Sequence, residues 1–102
     1  MANNRWTSTL GLANRAGKIV SGEEFVLKEI KTNRAKLILL SKDTSLNTEK
    51  RIIDKCNFYK VPVIRVESRY ELGYAIGKDE RVAVAIVDNG FAEKIRLYLE
   101  QP

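Results

Sequence analysis

The chain has 102 residues, 44% of them hydrophobic and 30% charged, with 18 basic against 13 acidic side chains and a formal net charge of +5. That length fits one domain around one hydrophobic core, and the composition is that of a folded chain rather than a disordered one. A lone cysteine excludes an internal disulfide, and the lack of any histidine excludes histidine triads, Cys/His zinc sites and histidine general bases.

No apolar run approaches the roughly 20 residues that span a bilayer. The first residues, MANNRWTSTLGLANRAGK, lack the basic-then-apolar order of a secretory signal. The expectation is a cytoplasmic protein without membrane contact. The charge excess is compatible with a polyanion and does not by itself establish one.

In chain order, the spacing predicts a first helix over Arg5 to Ala16, with Trp6 packing inward, and a short extended piece over Lys18 to Val20. Glu23 to Thr32 follows as a helix with Val26, Leu27 and Ile30 on one side. The run LILL, Leu37 to Leu40, suits a strand buried on both faces. Asn47 to Tyr59 is the next helix; Ile52, Ile53, Cys56 and Tyr59 share a side, so Cys56 is expected to be a buried structural thiol. VPVIRV, Val61 to Val66, is a β-branched strand with Pro62 at its start, where a missing N–H is tolerated. A short helix over Tyr70 to Ile76 ends at Gly77, a natural left-handed cap. VAVAIV, Val82 to Val87, is another apolar strand, and Phe91, Ile95, Tyr98 and Leu99 stripe a last helix. Alternating helices and uniformly apolar strands predict an α/β fold: one domain over residues 1–102, a three-layer α/β/α sandwich with a central mixed sheet of about four strands. Binding sites in such folds form where strands end and helices begin.

Two helix starts carry the chemistry. In SGEEFVLK, Ser21 and Glu24 have the spacing of a capping box, Glu23 and Glu24 complement the helix dipole, and Glu24 precedes Lys28 by four residues. In VESRYELG, Ser68 and Glu71 repeat the box directly after a strand. Capping alone accounts for both. A binding role is the other reading: acids repel phosphate at a helix start, but a carboxylate or carbonyl accepts from the ring N–H and amino groups of guanine. Lys28 reaches a base edge or phosphate, and Gly22 admits close backbone approach. Lys18, Arg34, Lys42 and Arg69 near element ends would hold phosphates without reading sequence. That layout suits distorted RNA with exposed base edges.

The ordered segments GKIVSGEEFVLK, AKLILLSKD, CNFYKVPVIRVESRYELGYAIG and VAVAIVD resemble the L-seven-Ae/L-thirty-e superfamily of ribosomal and kink-turn RNA-binding proteins, and most of all its small bacterial YlxQ-like branch. The resemblance runs from about Leu10 to Leu99. It implies an α/β/α sandwich, no catalysis and no cofactor. The implied partner is structured RNA containing a kink-turn, in ribosomal RNA or a riboswitch, bound at tandem sheared G·A pairs and a flipped-out base. Ribosome association and a monomeric state are further expectations. The family's glycine-led segment falls on Gly22, Glu23, Glu24, Phe25 and Lys28. Its glycine and lysine match, whereas Glu24 stands where asparagine is usual and Phe25 where glutamate is usual. Glu24 has no N–H to donate, and Phe25 supplies apolar contact instead of a carboxylate. Lys18 matches a basic position just before the glycine. Val66, Glu67, Ser68 and Arg69 match a second contact loop, and Lys42 and Asp43 a strand end near the same edge.

Two other functions compete. A nucleotide-binding enzyme is disfavoured because neither G-x-G-x-x-G nor a G-x-x-x-x-G-K-[ST] loop occurs. A protein-interaction module on the same fold, having lost kink-turn binding, is favoured by Phe25 as an aromatic anchor.

Overall fold

The computed structural model describes residues 5–100. Among the described residues nine elements follow one another: α1 (Arg5–Arg15), β1 (Ile19–Ser21), α2 (Glu23–Lys31), β2 (Leu37–Ser41), α3 (Leu46–Tyr59), β3 (Val63–Val66), α4 (Arg69–Tyr74), β4 (Ala83–Ile86) and α5 (Asn89–Glu100). The strands form one sheet in the order β1-β4-β2-β3. β4 is antiparallel to both of its neighbours, and β2 and β3 are parallel. The sheet is therefore mixed, as expected. β1, β2 and β3 run in one direction and β4 returns against them.

The pleat sorts the apolar runs between two cores. On one face Leu37, Leu39, Val84 and Ile86 pack with Trp6 and Leu10 of α1, Leu72 of α4, and Ala92 and Ile95 of α5. On the other, Ile38, Leu40, Ala83 and Ala85 pack with Val26, Leu27 and Ile30 of α2 and Ile52 and Cys56 of α3. The continuous runs are explained: both faces of β2 and β4 are buried, so alternation with polar residues is absent. Each fully buried Leu, Ile or Val contributes about 1.5–3 kcal/mol relative to exposure. Ala83 and Ala85 are small where α2 lies over the sheet.

Helix ends depart from expectation by a residue or two. Ser45 caps α3, its Oγ accepting from the Thr48 N–H at 3.2 Å, so the helix starts at Leu46. α4 ends at Tyr74, and a turn carries the chain to Gly77, which is left-handed at φ 74°. Ser68 caps α4 as predicted, accepting from the Glu71 N–H at 3.0 Å. Ser21 does not cap α2. It belongs to β1, paired opposite Val84, and its Oγ accepts from Arg81 Nε at 3.4 Å. Gly22 is the N-cap instead, at φ 99° and ψ 140°, with no side-chain cap. Ladder pairing holds Ser21 in strand geometry, so the capping-box spacing carries no box.

Candidate nucleic-acid interface

Because β1, β2 and β3 run the same way, they all end at one edge of the sheet, and each leads into a helix. The first turns of α2, α3 and α4 therefore stand at that edge together with the start of β4. The pairings fix this: Ser21 lies opposite Val84, Ser41 opposite Val66, and the Ser41 N–H donates to the Val82 carbonyl at 2.9 Å. Gly22, Glu23, Glu24, Phe25, Lys42, Asp43, Glu67, Ser68 and Arg69 gather there, Val66 is the buried last residue of β3 beneath them, and Lys28 is a turn further along α2.

The starts of α2 and α4 do not lie side by side. They flank the edge on opposite faces of the sheet, with the end of β2 and the start of β4 between them. Lys18 is at the other end of β1, about 10 Å along the strand from Ser21, where its carbonyl accepts from the Val87 N–H at 2.9 Å. Arg34 is also remote: beyond the last turn of α2 it grips Glu29 through two hydrogen bonds of 3.0 Å. That grip holds the Glu29 carboxyl below its ordinary 4.5, against the opposing effect of burial.

Three ion-pair groups organise the edge. Arg51 of α3 donates to the carboxylates of both Glu23 and Glu24, the latter at 3.0 Å, and the Thr48 hydroxyl donates to Glu23 at 2.8 Å. The Glu24 hydrogen bond is the main reason the Arg51 guanidinium holds its proton more firmly than usual. The Glu24–Lys28 pair expected from spacing gives way to this tertiary fork. Next, Lys42 Nζ donates to Glu67 at 2.7 Å, joining the two loops across parallel β2 and β3. Finally, the Arg69 backbone N–H donates to both Asp43 carboxylate oxygens, at 3.1 and 3.2 Å. The Arg69 guanidinium donates to the Asp43 carbonyl and, at 3.2 Å, to Glu80. Burial pushes the Asp43 carboxyl up, but the Ser41 hydroxyl, the Arg69 N–H and the Arg69 charge outweigh it and keep it below its ordinary 3.8. The Ser41 Oγ, though near enough to favour the charge, closes no hydrogen bond of good geometry.

Sequence reasoning missed Thr48, Arg51, Glu80 and Arg81. Arg51 lies 28 residues from Glu23, and only packing of α3 beside α2 brings it there. The antiparallel direction of β4 brings Glu80 and Arg81 to the edge. Phe25 is 66% exposed, and Tyr70 and Tyr74 on α4 are exposed as well. Trp6 is packed in the core as expected. The edge thus offers carboxylate and carbonyl acceptors, an exposed aromatic ring, and cations mostly committed to local acids, with Arg81 donating instead to the Ser21 hydroxyl and the Glu80 carbonyl. Among the described residues no group of carboxylates and cysteine could hold a metal ion, and no helix is long and apolar enough to cross a membrane.

Known proteins share this arrangement of elements. The chain is 58% identical over 95 residues to a Bacillus subtilis protein named RNA-binding protein YlxQ, covering 93% of this chain and 95% of that one. It is 42% identical over 91 residues to the Enterococcus faecium protein of the same name, covering 89% and 87%. A solved structure of a Bacillus halodurans C protein described as of unknown function superposes with a TM-score of 0.92 at 41% identity, over 95% of this chain and 98% of that one. The model of the family described as ribosomal protein L7Ae/L30e/S12e/Gadd45 matches residues 4–96. The chain belongs to that family and resembles the proteins named YlxQ within it.

Proposed function

We propose that this chain is a non-catalytic RNA-binding protein that recognises kink-turn RNA, acts as a monomer and associates with the ribosome. One observation carries the reading: the segments Gly22–Lys28, Lys42–Asp43 and Val66–Arg69, far apart in sequence, converge on one sheet edge lined with oriented acceptors. Sheared G·A pairs expose guanine N–H and amino groups, for which carboxylates and main-chain carbonyls are the fitting partners. Relatives named RNA-binding proteins, and the family's ribosomal description, support the same reading.

In this mode Gly22 lets the α2 backbone approach the RNA, Glu23 and Glu24 accept from base edges, and Lys28 takes a phosphate. The β3–α4 loop, from Val66 to Arg69, covers the flipped-out base. The test is a titration onto a kink-turn RNA beside a duplex of equal length with Watson–Crick pairs in place of the G·A pairs. Tight binding to the kink-turn alone supports the proposal; equal weak binding to both sinks it.

A second reading rests on Phe25. An aromatic ring 66% exposed beside Gly22 is a fitting anchor for a protein partner. Phe25→Ala and Lys28→Ala separate the two: loss of kink-turn affinity in both variants favours RNA, and loss in neither favours a protein.

A further inference from the structure

Most of the cations at the sheet edge are spoken for, and this leaves an electrostatic question. Lys42 is paired with Glu67, Arg51 with Glu23 and Glu24, and Arg69 with Asp43 and Glu80. A polyanion gains little from charges that are already neutralised locally. Arg81, bonded to the Ser21 hydroxyl and the Glu80 carbonyl rather than to an acid, adds one charge at the edge, so most of the attraction has to come from elsewhere on the molecule.

The groove between α2 and α3 supplies it. The two helices both start at the edge, pack side by side and run away from it in the same direction. Lys31 on α2 and Lys55 on α3 line the groove between them, with Leu27 as its floor and Asp54 as its acid. Arg51 stands at its upper end, where it is bonded to Glu23 and Glu24, so the groove is continuous with the edge. Lys31 follows Lys28 by three residues, so the two ammonium groups share a side of α2. Lys28, Lys31 and Lys55 are exposed, and none of the three forms an ion pair among the described residues.

We propose that the α2–α3 groove is a second contact surface for the same RNA, in which Lys31 and Lys55 take backbone phosphates of a stem flanking the element read at the edge. The division of labour is physical. The edge discriminates through oriented acceptors and adds little net charge. The groove adds affinity through counterion release and carries no sequence information. Charge complementarity and continuity with the edge favour an RNA backbone as the occupant. The proposal rests on the RNA-binding reading above.

The test measures binding to a kink-turn RNA with a long flanking stem, and to one with that stem cut short, across a range of salt concentrations. The proteins are the wild type, Lys31→Gln/Lys55→Gln, Lys55→Gln and, as a control, Lys94→Gln on α5 across the sheet. For the long stem, the slope of log K against log salt is expected to become shallower by about 0.9 per lysine removed, the duplex value. Lys94→Gln is expected to keep the wild-type slope, and the short-stem RNA to bind wild type and double variant alike. An unchanged slope in the double variant overturns the proposal. So does an equal change in Lys94→Gln, which would report net charge alone. Failure of the wild type to prefer the kink-turn over a matched duplex removes the parent reading and this one together, and that outcome is recognisable without the variants.

Discussion

The backbone N–H of Arg69 is bonded to both carboxylate oxygens of Asp43, at 3.1 and 3.2 Å, and so the loop after β3 is tied to the loop after β2. The tie is a charge-assisted bond to main chain, which fixes position more firmly than a pair of long side chains. Asp43→Asn keeps the shape and removes the charge. It is expected to weaken RNA binding by loosening both loops. The pH dependence follows from the depressed carboxyl. Its contribution to stability is fully present above the ordinary 3.8 and is lost as pH falls through the lower folded value. Melting curves of wild type and Asp43→Asn should differ near neutrality and converge in strong acid. A gap that persists unchanged in acid would contradict this.

Gly22 holds φ 99° and ψ 140°, a region that side-chain-bearing residues avoid. An added Cβ would meet only Phe25 Cδ2 at 3.6 Å, an ordinary contact, so the obstacle is the backbone angle and not space. Gly22→Ala is expected to cost about 1–3 kcal/mol of stability and to weaken RNA binding by shifting the first turn of α2. Urea denaturation checks the first effect and RNA titration the second. Stability within a few tenths of a kcal/mol of wild type would mean the turn relaxes freely.

Gly73 shows the opposite cause. It sits within α4, and a Cβ there would stand 2.5 Å from Glu80 Cα and 2.8 Å from Glu80 N. The chain returning to β4 is pressed against the helix at that point, and backbone cannot swing aside. Gly73→Ala is expected to destabilise by the ~1–3 kcal/mol typical of overpacking or more. It should also exceed Gly11→Ala, whose Cβ meets only the Ala75 carbonyl at 3.1 Å. Thermal melts of the two variants give the order directly.

Cys56 is 1% exposed, and burial pushes its thiol up to about 11. Since the thiolate is the reactive form, the native protein is expected to resist thiol reagents at pH 8 and to react at once in denaturant. Rapid labelling of the native state would show that the α3 face of the core opens readily.

The sequence makes the fold legible because burial on both sides leaves an unmistakable trace. LILL and VAVAIV have no polar alternation, as strands covered on both faces require, and their shortness and flanking polar residues favour strand over helix. What it hides is set by long-range packing. Ser21 and Glu24 have the right spacing for a capping box, yet pairing with Val84 holds Ser21 in the strand and Arg51 takes Glu24. The partners of Glu23 lie on α3, which packing brings beside α2, and Glu80, a partner of Arg69, reaches the edge because β4 runs antiparallel, a direction that no local pattern states. Lys18 matches a family position but stands at the other end of a three-residue strand. Linear proximity to Gly22 does not bring it to the edge.

Three strands ending at one edge also leave the far edge with a different character. Gly17, left-handed with open space around it, and the turn at Thr32–Arg34 lie there, away from the converged loops. Changes in loop length, fused tags or fluorophores placed at Gly17 should leave the converged loops undisturbed, whereas the Thr32–Arg34 turn directly follows Lys31 of the proposed groove. Under the proposed function, the converged loops answer to a partner and the Gly17 turn only to folding, so the two are free to diverge at different rates.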